Sequence, residues 1–258
     1  MSSIQAADLL TSTAKGLRLS ATLEINELVK QRLNAGKRVV HLGFGEATFP
    51  MQKDVLQAHR EASSDTSYLP VAGLPALRES IARFQTRRLG SLIESDQVVV
   101  APGSKPLLFA LFDILQGDVL LPRPSWVSYE PQVMHASKKL FWVETDEHDR
   151  HSISVGSLRK SYDDAKTSGA DPRIMLINSP SNPTGQAFDS ASTEMISTFC
   201  RERGITLISD EIYSDISFTP SPAPSPASHG RLNTSQTILT GGLSKARTPP
   251  LHPQPARY

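Results

Sequence analysis

From residue 97 to residue 240 the chain alternates short runs that are apolar on consecutive residues with longer stretches of helical spacing. The runs are Gln97 to Val100, Asp118 to Leu121, Leu140 to Thr145, Arg173 to Asn178, Ile205 to Ser209 and Thr237 to Thr240. A strand with one wet face alternates polar and apolar residues; a run apolar on both faces needs cover on both, as parallel strands have between two helical layers. The helical patterns at Pro106 to Leu115, Val155 to Thr167 and Thr193 to Arg203 supply that cover. An α/β fold is predicted, a three-layer α/β/α domain around a mostly parallel sheet.

Ahead of this region, Leu23, Ile25, Leu28, Val29 and Leu33 follow helical spacing, and Gly36 is placed to end that helix. Residues Arg38 to Leu42 read as a short strand leading into Gly43-Phe44-Gly45-Glu46, where glycines permit close approach of backbone to a ligand. Leu74, Leu77, Ile81 and Phe84 lie on one face of a second helix, with Pro75 near its start and Gly90 near its end. Two segments break the pattern. Phe218 to Gly230, rich in Pro, Ser and Ala, reads as a surface loop; Ala246 to Tyr258, with four prolines, reads as a disordered tail. The domain organisation expected is an N-terminal helical arm over 1–36, a large domain over 37–245 and a proline-rich tail over 246–258.

Charge excludes some function classes. Lys and Arg total 27 against 26 Asp and Glu, so no long-range field draws the chain to nucleic acid or an acidic membrane. No run reaches the roughly 20 apolar residues of a membrane span, and Met1 to Lys15 lacks the apolar core of a leader. The single cysteine, Cys200, cannot form an intrachain disulfide and sits in a helical pattern as a small hydrophobe. A cytoplasmic protein is expected, with no metal site, nucleic-acid partner or membrane.

In open α/β sheets ligands sit beyond the carboxyl ends of the strands, so those loops are where chemistry is sought. After Val100 comes Ala101-Pro102-Gly103-Ser104-Lys105, opening a helix whose free N–H groups and positive end suit a phosphate, though a Gly-Ser turn is more often an ordinary cap. After Leu121, Pro122-Arg123-Pro124-Ser125-Trp126 puts an indole where it can stack on a flat ring. After Asn178, Ser179-Pro180-Ser181-Asn182-Pro183-Thr184-Gly185 forms a rigid turn able to aim the Asn182 amide. After Ser209, Asp210-Glu211-Ile212-Tyr213 offers a carboxylate and a phenol. Last, Thr240-Gly241-Gly242-Leu243-Ser244-Lys245 ends in one lysine with glycines beside it. Each loop alone has a structural reading, as core indole, turn, helix cap or surface lysine.

Taken in order, the five loops resemble those of class I/II aminotransferases, fold-type I enzymes that use pyridoxal 5'-phosphate (PLP). The Asn-Pro-Thr-Gly turn, the Asp-x-x-Tyr and the Ser-Lys are specific as a set. The resemblance runs from about Gly43 to Lys245 and includes Tyr68-Leu69-Pro70-Val71-Ala72-Gly73-Leu74-Pro75-Ala76-Leu77-Arg78. It implies amino-group transfer between an amino acid and a 2-oxo acid, in a homodimer. Lys245 would form the Schiff base and carry the proton, since Lys, unlike Arg, can be made to lose its proton near neutrality. Asp210 would pair with the pyridine nitrogen, Asn182 and Tyr213 with the ring's phenolic oxygen, and Trp126 would stack on the ring. Gly103, Ser104 and Lys105 would hold the phosphate, with Ser244 beside them in the cofactor site, and Tyr68 would reach the phosphate of the neighbouring subunit. Gly45 would lie beside the substrate carboxylate. The family also implies a cis peptide at Asn182-Pro183.

The resemblance ends after Lys245. The family's phosphate arginine falls at Pro253, and the arginine that clamps the substrate carboxylate, the small domain and its helix have no counterpart in this sequence. A lost charged hydrogen bond costs about 1.5–3 kcal/mol, and a lost clamp leaves the substrate unoriented. The expectation is a chain truncated after the lysine, with little or no transamination. Alternatives on the same scaffold are a C–S lyase, an aminocyclopropane-carboxylate-synthase-like enzyme, or a catalytically dead module that dimerises. A dinucleotide-binding domain is disfavoured, since no Gly-x-Gly-x-x-Gly closes a first strand.

Overall fold

In a computed structural model of the chain, residues 9–16, 21–40, 50–216, 218, 221–229, 236–243 and 245 are described. Gly43, Gly45, Ser244 and the segment 246–258 lie outside them. Five strands form one sheet: β1 (Asp118–Arg123), β2 (Leu140–Glu144), β3 (Pro172–Asn178), β4 (Thr206–Asp210) and β5 (Thr237–Thr240). Their order is β2-β1-β3-β4-β5 and every pairing is parallel. Five of the six predicted runs are thus strands, and their side chains divide between two cores as the pleat requires.

On one face, Leu120, Val143, Met175, Ile177 and Leu207 pack with Leu158 of helix Val155–Thr167 and Ile196, Phe199 and Cys200 of helix Ser190–Glu202. On the other, Val119, Leu121, Ile174, Leu176 and Ile208 pack with Leu108 and Phe112 of helix Ser104–Ile114 and Tyr129 and Val133 of helix Tyr129–His135. Numbering helices along the chain, these four are α5 (Ser104–Ile114), α6 (Tyr129–His135), α7 (Val155–Thr167) and α8 (Ser190–Glu202), preceded by α1 (Ser12–Gly16), α2 (Ala21–Asn34), α3 (Lys53–Ala62) and α4 (Pro75–Leu89). The result is the three-layer arrangement. Cys200 is buried, which pushes its thiol pKa up to about 12 and leaves it a packing group.

Capping explains the helix limits. Ser154 accepts from Ser157 N and starts α7, Asp189 accepts from Ser192 N and starts α8, and Gly90 follows the last residue of α4. No described helix is long and apolar enough to cross a membrane.

Three readings are corrected. Gln97 to Val100 is not a strand: Ser95–Gln97 is a 3₁₀ turn, and Val100 N donates to the carbonyl of Ala72, which belongs to a loop rather than a neighbouring strand. An apolar run becomes a strand only where another strand can pair with it. Residues 38–40 are likewise outside any strand, and 41–42 lie outside the described residues. The loop after Phe218 is more than surface: Ser225, Pro226 and Ala227 are buried, and a 3₁₀ turn at Pro226–Ser228 packs on α8. Ser225 reaches inward because its hydroxyl donates to Glu211.

Candidate active site

The loops at the carboxyl ends of β1, β3, β4 and β5 converge on Asp210, the last residue of β4. Its carboxyl is buried at 3% exposure and receives three donors. The Tyr129 hydroxyl donates to Oδ2 at 2.7 Å; the Thr240 hydroxyl, at the end of β5, and the Ile212 N–H donate to Oδ1 at 3.2 and 3.3 Å. Desolvation by burial raises the Asp210 pKa, while the bonds from Tyr129, Thr240 and Ile212 pull it down. Burial, with the nearby Asp210 charge second, drives the Tyr129 phenol well above its ordinary range, so it stays a protonated donor. A carboxylate offers about four acceptor positions. Three donors leave room for one more group, and a cation there would offset the desolvation of the charge.

Asn182 and Tyr213 meet beside this acid, with the Asn182 side-chain nitrogen 3.5 Å from the Tyr213 hydroxyl. Asn182 enters a cis peptide to Pro183, in agreement with the sequence reading. Its backbone N–H donates to Asn178 Oδ1 at 2.7 Å, and Asn178 Nδ2 donates to the Asp210 carbonyl at 2.8 Å. Trp126, half-buried after β1, meets Tyr129 edge-on at 5.2 Å, and the Lys105 ammonium lies 4.9 Å from the indole centroid. Trp126 and Lys105 therefore sit together, and Trp126 touches the residue that bonds Asp210.

Gly103 precedes α5 with φ +114°, a conformation that L side chains rarely adopt, and no side chain caps the helix. The first N–H groups of any helix lack intrahelical acceptors, so the Ser104 end of α5 can take an anion. After β5, a Cβ on Gly242 would come within 2.9 Å of Ile212 Cδ1, so this loop runs close against the side chain that follows β4. Lys245 follows, partly buried in a turn. Tyr68 stands apart: it is fully exposed in the loop between α3 and α4 and joins none of these contacts. Gly45 and Ser244 lie outside the described residues.

Behind Asp210, Glu211 turns the other way. It is buried, paired with Arg88 of α4, and accepts from Ser209 and Ser225 at 3.0 and 2.6 Å. Sequence reading assigned no role to Tyr129, Thr240, Asn178 or Arg88. Tyr129 lies three residues past Trp126 in the same strand-end segment, a signal of position only; Thr240 and Asn178 are polar residues ending apolar strands.

The strand-end loops of a parallel α/β sheet thus bring together a buried acid, an amide, a phenol and an indole. Residues 37–248 match the family "Aminotransferase class I and II", and the chain belongs to that family. It is 34% identical to an aspartate aminotransferase of Geobacillus stearothermophilus and 31% identical to one of Bacillus subtilis; each alignment covers 93% of this chain and 61% of the relative. In structure it resembles aspartate aminotransferase from Thermus thermophilus with maleate, at a TM-score of 0.83 and 29% identity over 92% of this chain and 61% of that one. The chain thus spans about three fifths of the length of the relatives it matches.

Proposed function

We propose that this chain carries the cofactor-binding part of a PLP-dependent aminotransferase, which transfers an amino group between an amino acid and a 2-oxo acid. The observation that supports the reading best is Asp210: a buried acid with three donors, a remaining acceptor position and a charge that burial penalises. A protonated pyridine nitrogen suits that position. When bound, PLP supplies the electron sink that accepts the pair left when the substrate's Cα loses its proton.

The chain's own residues divide the remaining work. Asp210 keeps the ring nitrogen protonated, and Tyr129, Thr240 and the Ile212 N–H hold its oxygens in place. Asn182 and Tyr213, whose polar ends lie 3.5 Å apart, donate to the ring's phenolic oxygen. Trp126 would cover one ring face, and Gly103, Ser104 and Lys105, with the first N–H groups of α5, would hold the phosphate. Lys245 Nζ anchors the cofactor and moves the proton at the substrate carbon. Tyr68 would serve the phosphate of a second copy, and its full exposure suits that role. Aspartate is the amino acid to try first, because the relatives are aspartate aminotransferases and the similar Thermus thermophilus structure is one with maleate, a four-carbon dicarboxylate.

The test is a PLP titration followed by absorbance, then borohydride reduction and peptide mapping. A saturable band fixed on Lys245, and a complete loss of that label in Lys245→Ala, is expected. Absence of a saturable band, or label spread over surface lysines, would refute the reading.

A further inference from the structure

Asn178 ends β3 and stands opposite Asp210 in the parallel ladder. Its side-chain amide bonds in two directions: Nδ2 donates to the Asp210 carbonyl at 2.8 Å, and Oδ1 accepts from the Asn182 N–H at 2.7 Å. A carbonyl can only accept and a backbone N–H can only donate, so the two partners dictate which way the amide points. Beyond Asn178 the regular ladder stops. Pro180 and Pro183 have no N–H to continue it, and the next backbone bond, Ser179 N to the Asp210 carbonyl, is longer at 3.3 Å. One side chain thus ties the peptide that carries the buried acid to the peptide that carries the Asn182 amide.

We infer that Asn178 is a positioning residue for the cofactor pocket: by bonding both peptides it sets the separation between the group that reads the ring nitrogen and the group that reads the ring oxygen. The inference rests on the cofactor reading above. It assigns Asn178 no contact with the cofactor itself. The amide suits this gap because it both donates and accepts: Asp cannot donate when ionised, Leu can do neither, and Ser is too short to span two peptides.

The experiment uses the whole chain as wild type, Asn178→Ala and Asn178→Asp, with amide hydrogen exchange measured without cofactor and PLP affinity measured by absorbance. In Asn178→Ala the Asn182 N–H exchanges about tenfold faster while Leu176 and Ile177, within β3, are unchanged, and the Kd for PLP rises about five- to tenfold. Asn178→Asp keeps the Asn182 N–H protected, because a carboxylate accepts, yet still weakens PLP, because its oxygen faces the Asp210 carbonyl. Two results overturn the inference: PLP affinity equal to wild type in both variants, or exchange that rises equally at Leu176 and Ile177, which marks a residue needed for the strand rather than for the pocket. A wild type without saturable PLP binding defeats the cofactor reading itself, and this inference with it; that outcome is distinct from variants that bind as well as a binding wild type.

Discussion

The part of the chain from Ser104 to Thr240 and the part from Ala21 to Leu89 use their apolar residues in opposite ways. In the first, the strands bury side chains on both faces and α5 to α8 close over them, with Leu108, Phe112, Leu120, Leu158 and Ile196 fully buried. In the second, α3 buries no residue, α4 buries only Ala82 and Leu89, and Leu28, Leu33, Tyr68, Val71 and Phe84 are exposed. Amphipathic spacing predicts where a helix forms, yet it does not say that a partner face exists within the same chain. The predicted stripe on α4 is a case in point: Ile81 is partly buried, but Leu74, Leu77 and Phe84 look outward. Most of the candidate site belongs to the first part, whose packing holds the strand ends still. A buried ion pair, Arg88 with Glu211, ties the second part to it.

Measurements can break or sharpen this contrast, beginning with the largest effect. Phe112→Ala should cost about 3–5 kcal/mol in urea unfolding, since it empties a filled space under the sheet. A loss under 1 kcal/mol would show that this face is not the stabilising core. Arg88→Met should cost about 3 kcal/mol by leaving Glu211 charged and unpaired in the interior. The lower end of the usual range is chosen because Arg88 Nη1 is itself buried without a hydrogen-bond partner. The exposed pair Arg83 and Glu79 is the control, and Arg83→Ala should change stability by less than about 0.5 kcal/mol.

Asp210→Asn should act in the opposite sense on stability and on binding. Burial raises the pKa of this acid, so without cofactor the folded state binds its proton more tightly than the unfolded state. Stability is therefore greatest below the ordinary carboxylate range and falls as pH rises through the folded pKa. Replacing Asp210 by Asn removes that slope, so the thermal midpoint should vary less with pH and stability near neutrality should rise, while PLP binding weakens. A variant less stable than wild type at neutral pH would show that the three donors already outweigh the desolvation. The smallest effect is expected at Val71, which is wholly exposed. Val71→Ser should leave the unfolding midpoint within about 0.5 kcal/mol of wild type.

Much of the sheet was legible in the sequence because parallel strands covered on both faces must be apolar on consecutive residues. Asp118 to Leu121 and Ile205 to Ser209 carry that mark, and the structure extends or shifts them by only a residue or two. Gln97 to Val100 carries the same mark and is no strand: only Val98 of the four is buried, so consecutive apolar residues report a preference and not the presence of a neighbour. The helix α6 escaped because its seven residues, with Pro131 inside, are too few to show a period. With it went Tyr129, a buried aromatic whose sequence context looks like any core residue. The strand-end polar residues were legible as types of chemistry: one acid, one amide, one phenol and one lysine in a fixed order.

The sequence by itself determined most of the segments that become strands and helices, and which groups stand at the strand ends, because periodicity and the order of loops are local properties. Which of those groups meet was decided by the tertiary structure. Tyr129 bonds Asp210 across 81 residues and Arg88 pairs with Glu211 across 123, and only packing of the two faces of the sheet brings each pair together. The raised pKa of Asp210 has the same origin. Desolvation depends on what surrounds a carboxyl in space, and β3, β5 and α6 supply those surroundings from three separate stretches of chain.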